Sequence, residues 1–167
     1  MVTKESLADK AAKAARIIPG IGSYQDKEKL RDLDKRLRTY LASLLGKERS
    51  RIDERKRFLA KEGKLDRLDD LDALTRKMHQ LADTITFAAY GYAPLFSQAH
   101  VDRKKLEKLY LLDQGLEKEV SKLSEKVNTV VSGLESEFSA GIRETEFSLR
   151  TIEDQVNHRN EFLRQTK

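Results

Sequence analysis

The sequence predicts an all-α protein: an antiparallel three-helix bundle or coiled coil, with a short helix before it and a long C-terminal helix that outruns it. Three observations predict this. Ala, Glu, Lys, Leu and Arg make up 85 of the 167 residues, a share that marks long helices when it accompanies a period of about 3.5 residues. Apolar residues recur in steps of three and four along three long segments. The two prolines, Pro19 and Pro94, both fall between expected helices.

The first element is a short helix over about 4–18. Leu7, Ala11, Ala14, Ala15 and Ile18 share one face, with Lys10, Lys13 and Arg16 elsewhere on the surface. Pro19 stops it, because proline disfavours the helical conformation of the residue before it. Gly20 and Gly22 then allow an elbow. A second helix starts after Ser23, a suitable N-cap. Leu30, Leu33, Leu37, Leu41 and Leu44 form its apolar stripe, which thins between Gly46 and Arg57 and resumes at Phe58 and Leu59. Gly63 predicts the stop, since glycine takes the left-handed conformation of a helix C′ position at little cost.

A third helix follows over about 65–92. Its stripe is Leu65, Leu68, Leu71, Leu74, Met78, Leu81, Ile85, Ala88 and Tyr92, and Asp66, Asp69 and Asp70 favour the positive end of its dipole. Gly91 and Pro94 end it, and Asp102 caps the last helix. That helix carries Leu106, Leu109, Leu112, Leu116, Val120, Leu123, Val127, Val130, Leu134, Phe138 and Ile142, then Leu149, Ile152, Val156 and Leu163. A continuous helix of about 60 residues would reach roughly 90 Å at a rise of ~1.5 Å per residue, with Gly133 and Gly141 as places for a bend. The organisation expected is therefore a short amphipathic helix (1–18), a Pro/Gly elbow (19–24), a helical bundle (25–141) and a C-terminal helix extension (142–167).

Composition excludes several functions. Without cysteine there is no disulfide, thiolate metal site or cysteine nucleophile. No P-loop, Gly-x-Ser-x-Gly or His-Glu-x-x-His motif occurs, and no cofactor is expected. The three histidines, His79, His100 and His158, lack the three or four ligands of a zinc site, although Asp83 follows His79 by four. The longest uncharged run, 84–101, is broken by Gly91 and Pro94 and is too polar to span a bilayer. No signal peptide is visible, so the cytoplasm is the expected compartment, with peripheral membrane attachment as a variant.

Two features point to recognition of a partner. Residues 86–96 hold four of the 11 aromatics. Phe87, Leu95 and Phe96 are read as a plug for the bundle end, while Tyr90 and Tyr92 offer a recognition surface. The other feature is the late apolar stripe. Ile142, Phe147, Leu149, Ile152, Val156 and Phe162 would lie beyond the shorter helices, and monomers rarely leave such a stripe bare. Self-association or another helical protein is the expected cover, with the first helix folding back as the intramolecular alternative. A third, weaker feature is the run Lys47, Arg49, Arg51, Arg55, Lys56 and Arg57, set against Glu48, Asp53 and Glu54, which suits an anionic surface. The net charge of +5 is spread through segments of mixed sign, which disfavours nucleic acid as the partner.

Ile18-Pro-Gly-Ile-Gly-Ser-Tyr-Gln-Asp-Lys-Glu, with Arg31, Asp34, Leu37 and Arg38, resembles the opening of a family of uncharacterised bacterial helical proteins. Ala88-Ala-Tyr-Gly-Tyr-Ala-Pro-Leu-Phe, with Leu106, Leu109, Tyr110 and Asp113, resembles that family's central aromatic elbow. The resemblance spans about residues 17–125 and implies a helical fold without an assigned activity. More loosely, a short amphipathic helix ahead of long coiled helices resembles the phage-shock and ESCRT-III-like membrane remodelers. The leading expectation is a non-enzymatic helical scaffold or adaptor. The alternatives are a peripheral membrane protein of the envelope-stress type and a nucleic-acid or ribosome-associated factor.

Overall fold

A computed structural model describes residues 27–88 and 103–165 of the chain. Within them the protein is all-α, with four helices and no strand. Helix α1 spans Lys27–Lys61, α2 Leu68–Phe87, α3 Arg103–Ser132 and α4 Phe138–Gln165. Short 3-10 turns, Leu65–Arg67 and Glu135–Glu137, lead into α2 and α4. The expected 4–18 helix, the elbow at 19–24, Ser23, Tyr90, Tyr92, Leu95, Phe96, His100 and Asp102 lie outside the described residues.

The first turn forms as the sequence predicts. Gly63 has φ of +72°. The Lys64 N–H donates to the Leu59 carbonyl and the Gly63 N–H to the Ala60 carbonyl. These are the two hydrogen bonds of a Schellman cap, which satisfy carbonyls that the helix end would otherwise leave unpaired.

The single long last helix is not what the chain makes. It breaks after Ser132, and α4 folds back antiparallel to α3, so the architecture is four-helical where three helices and a protruding extension were expected. Three local features make the break. The Gly133 N–H still bonds to the Thr129 carbonyl at 3.0 Å. Leu134 is extended, at φ −65° and ψ 155°. Glu137 accepts a hydrogen bond from the Leu134 N–H at 3.2 Å, reaching back from the new helix to one of its first donors. Gly133 suits this site because a Cβ there would collide with the Thr129 carbonyl oxygen.

The result is two helical hairpins packed side by side, with both turns at one end. Lys64 and Arg67, near the first turn, face Glu135 in the second at 3.2 and 3.8 Å. Helix α1 lies beside α2 and α3, and α4 lies beside α2 and α3, so α1 and α4 are diagonal. Each hairpin is antiparallel: Arg38 donates to the Thr86 carbonyl, and Lys126 pairs with Glu144. Across the hairpins the neighbours run parallel, marked by Arg51 with Ser124 and Asn128, and by Lys77 with Glu153.

The core runs the length of the bundle. Leu41, Leu45 and Ile52 of α1, Leu71 and Met78 of α2, Leu123 and Val127 of α3, and Leu149 and Ile152 of α4 are fully buried. Ile142, Val156 and Leu163 are buried with them. The stripe that required an intermolecular cover on a straight rod is covered by the chain itself. Gly141 allows close approach here, since a Cβ would sit 3.2 Å from side-chain atoms of Thr129 and Val130.

Candidate functional site

Of the residues singled out as partner-binding, Ile142, Leu149, Ile152 and Val156 are core residues and are withdrawn from that role. Phe162 is half-buried, beneath the Lys108 ammonium, which lies 5.0 Å from its ring centroid. Phe147 remains on the surface, 73% exposed. It stands two residues past buried Thr145, about 200° around the helix, so it points outward. The same arithmetic removes Phe87 from the core plug. It is two residues past Ile85 and 58% exposed.

The Lys47–Arg57 run is largely engaged with its own neighbours. Arg49 pairs with Asp53 at 3.6 Å. Arg51 pairs with buried Glu48 at 2.6 Å and reaches Asn128 at 2.9 Å, tying α1 to α3. Lys56 holds both Asp53 and Asp72, and Asp72 raises its pKa above the ordinary lysine value. Arg55 stacks over the Phe58 ring at 5.4 Å. Lys47 and Arg57 are exposed and have no ion-pair partner among the described residues.

A polar cluster inside the bundle escaped the sequence reading. Arg159 of α4 is 3% exposed. Its Nε donates to Asp113 Oδ1 of α3 at 2.5 Å, and its Nη2 donates to Asp34 Oδ1 of α1 at 2.7 Å. Arg38 completes the cluster, bonding Asp34 Oδ2 at 2.9 Å and the Thr86 carbonyl at 2.6 Å. All four helices meet here, with two positive and two negative charges. Burial opposes the charge on Arg159, but Asp113 and Asp34 outweigh it and hold its pKa above the ordinary arginine value. The guanidinium is therefore a permanent cation.

The signal for this cluster was present. Asp34 precedes Leu37 by three, Asp113 sits between Leu109 and Leu116, and Arg159 sits between Val156 and Leu163, each at the core period. A charged residue at a core position demands a partner of opposite sign. Which residues pair becomes visible only once four helices converge.

The exterior is divided by charge. Helices α1 and α3, adjacent and parallel, together hold 20 basic and 11 acidic residues. Residues 65–87 and 135–165, which form the other side, hold 7 basic and 12 acidic. The division sharpens at the surface. The exposed side chains of α1 and α3 include 12 basic and 3 acidic, whereas those of α2 and α4 include 4 basic and 7 acidic. Topology creates this: the two basic helices are separated in sequence by α2, and become one face only because the hairpins pack in parallel.

Among the described residues there is no cluster of three or more metal-ligating side chains, and no helix is long and apolar enough to cross a membrane. His79 lies 3.6 Å from Asp83 on the open surface, and His158 is exposed. No protein-family model matches the chain, and no characterised protein or solved structure is similar to it.

Proposed function

We propose that the protein is a non-enzymatic helical scaffold or adaptor that docks a macromolecular partner on its polarised exterior. The observation that supports this most is the charge division: a basic two-helix face set against an acidic one. The ionic cluster argues in the same direction. Its charges neutralise one another, with Asp34, Asp113 and Arg159 buried, an arrangement suited to holding four helices in register. Lys47, Lys61 and Lys118 have no ion-pair partner among the described residues and stand on the basic side. They are the groups free to meet an opposing surface.

The test is site-specific photo-crosslinking in the native cells. Crosslinkers replace Lys47 and Lys118 on the basic side, Asp154 on the acidic side, and Ser43 as a neutral exposed control. A docking module yields a discrete crosslinked species from the charged faces, weakened in lysates of high ionic strength. Absence of any salt-sensitive product from all three charged positions sinks the reading.

A further inference from the structure

We infer that the partner of the basic face is the acidic face of a second copy of this chain. The inference rests on the docking reading above and names the occupant. An anionic membrane or polymer would account for one side of the molecule only. The acidic side would be left without a role and would repel it. A second copy uses both, because each surface finds its complement on an identical molecule.

The groups required are in place. On the basic face Lys47, Lys61 and Lys118 are exposed, and on the acidic face Asp69, Asp70, Asp154 and Glu161 are exposed. None of these seven has an ion-pair partner among the described residues. Each face is two helices wide. Helices α1 and α3, of 35 and 30 residues, extend roughly 52 and 45 Å, and α2 and α4, of 20 and 28 residues, roughly 30 and 42 Å. The shorter acidic side therefore fits within the longer basic one. Each side also exposes large apolar side chains: Phe58 and Leu111 on α1 and α3, Phe87 and Phe147 on α2 and α4. These supply contact area that ion pairs at a surface do not.

The geometry has a consequence for assembly. The two docking surfaces differ and lie on opposite sides of the bundle, so the contact is heterologous. One copy bound through its basic face still presents its acidic face. Such contacts do not close into a two-fold dimer and propagate as a stack.

The test uses the full chain and two reciprocal double variants. Lys47→Glu with Lys118→Glu reverses two unpaired cations of the basic face. Asp154→Lys with Glu161→Lys reverses two unpaired anions of the acidic face. All four positions are exposed, and thermal melts matched to wild type establish that each variant folds. A second reciprocal pair, Lys61→Glu and Asp69→Lys, replaces any variant that melts early. Sedimentation velocity at low salt is expected to show wild type as a concentration-dependent series of oligomers. The apparent association constant should fall at least about tenfold in 0.5 M salt, where screening acts over a few ångströms. Each double variant alone should associate at least about tenfold more weakly than wild type, and their equimolar mixture should regain the oligomer series. A wild-type chain that stays monomeric at millimolar concentration and low salt overturns the inference. So does a mixture that remains monomeric while wild type assembles. A monomeric wild type that still gives the salt-sensitive crosslink to a different chain overturns this inference alone and leaves the docking reading standing.

Discussion

Arg159 shows how one buried charge is tolerated among apolar layers. Two carboxylates from two other helices meet its guanidinium at 2.5 and 2.7 Å. Removing one partner of a buried pair leaves an uncompensated charge, which typically destabilises by about 3–5 kcal/mol. Arg159→Met alone should lower stability by that amount in a urea titration. The combined change Asp34→Leu, Asp113→Leu and Arg159→Met removes all three charges, and should return stability to within about 1 kcal/mol of wild type or above it. Equal damage from both would mean that the cluster acts through shape rather than charge. The surface pair Lys56–Asp72 has a different signature. Lys56 holds the Asp72 carboxyl below its ordinary value. This contribution is fully present above the unfolded carboxyl pKa of about 3.9 and is lost as pH falls through the lower folded value. Lys56→Met should therefore lower stability at pH 6, and its effect should shrink as pH falls below the ordinary carboxylate range.

Glycine positions separate the elements that need a missing side chain from those that merely tolerate it. Gly63 sits at φ +72°, so Gly63→Ala should cost about 1 kcal/mol or more. Gly133→Ala should cost more than the ordinary helix penalty, because its Cβ meets the Thr129 carbonyl and the turn must shift. Gly46 lies exposed within α1 with nothing near an added Cβ. Gly46→Ala should stabilise by about 0.5–1 kcal/mol, since alanine favours the helix. Thermal melts of the three variants should give two losses and one gain. A gain from Gly133→Ala would contradict the close approach of residue 133 to the Thr129 carbonyl.

At the scale of the molecule, the fate of α4 decides what kind of protein this is. Ile152 is 0% and Val156 3% exposed within one chain. Polar substitution there should unfold the bundle, and Ile152→Ala should cost about 2–5 kcal/mol. A straight last helix carrying a bare stripe would instead lose only its oligomer on such substitution. Measuring melting and sedimentation together on Ile152→Ala distinguishes the two. If the variant keeps the wild-type midpoint, the four-helix packing is wrong. Because the apolar stripe is spent internally, the proposed association would use the exposed exterior, and it should respond to salt more than to loss of buried methyl groups.

Helical class and the positions of most core residues were legible in the sequence, because a 3.6-residue period maps local spacing directly onto one face of a helix. The stop at Gly63 was legible for a similar reason. It combines a glycine with acidic residues in the turns that follow, and both act within a few residues. The stop at Gly133 carries the same signature, with Glu135 and Glu137 after the glycine and the next helix starting five residues on, as after Gly63. It was hidden because Val130, Leu134 and Phe138 keep the core period across the break. Spacing cannot tell one long helix from two that fold back, since both present the same stripe. Tertiary structure decided it, because folding back buries the stripe from Ile142 to Leu163 at about 25 cal/mol per Å², while a rod leaves it in water. The partners of Arg159 and the division of charge between faces were settled at that same level. Both depend on which helices become neighbours, and neighbours 125 residues apart, such as Asp34 and Arg159, are related by packing and not by any local period.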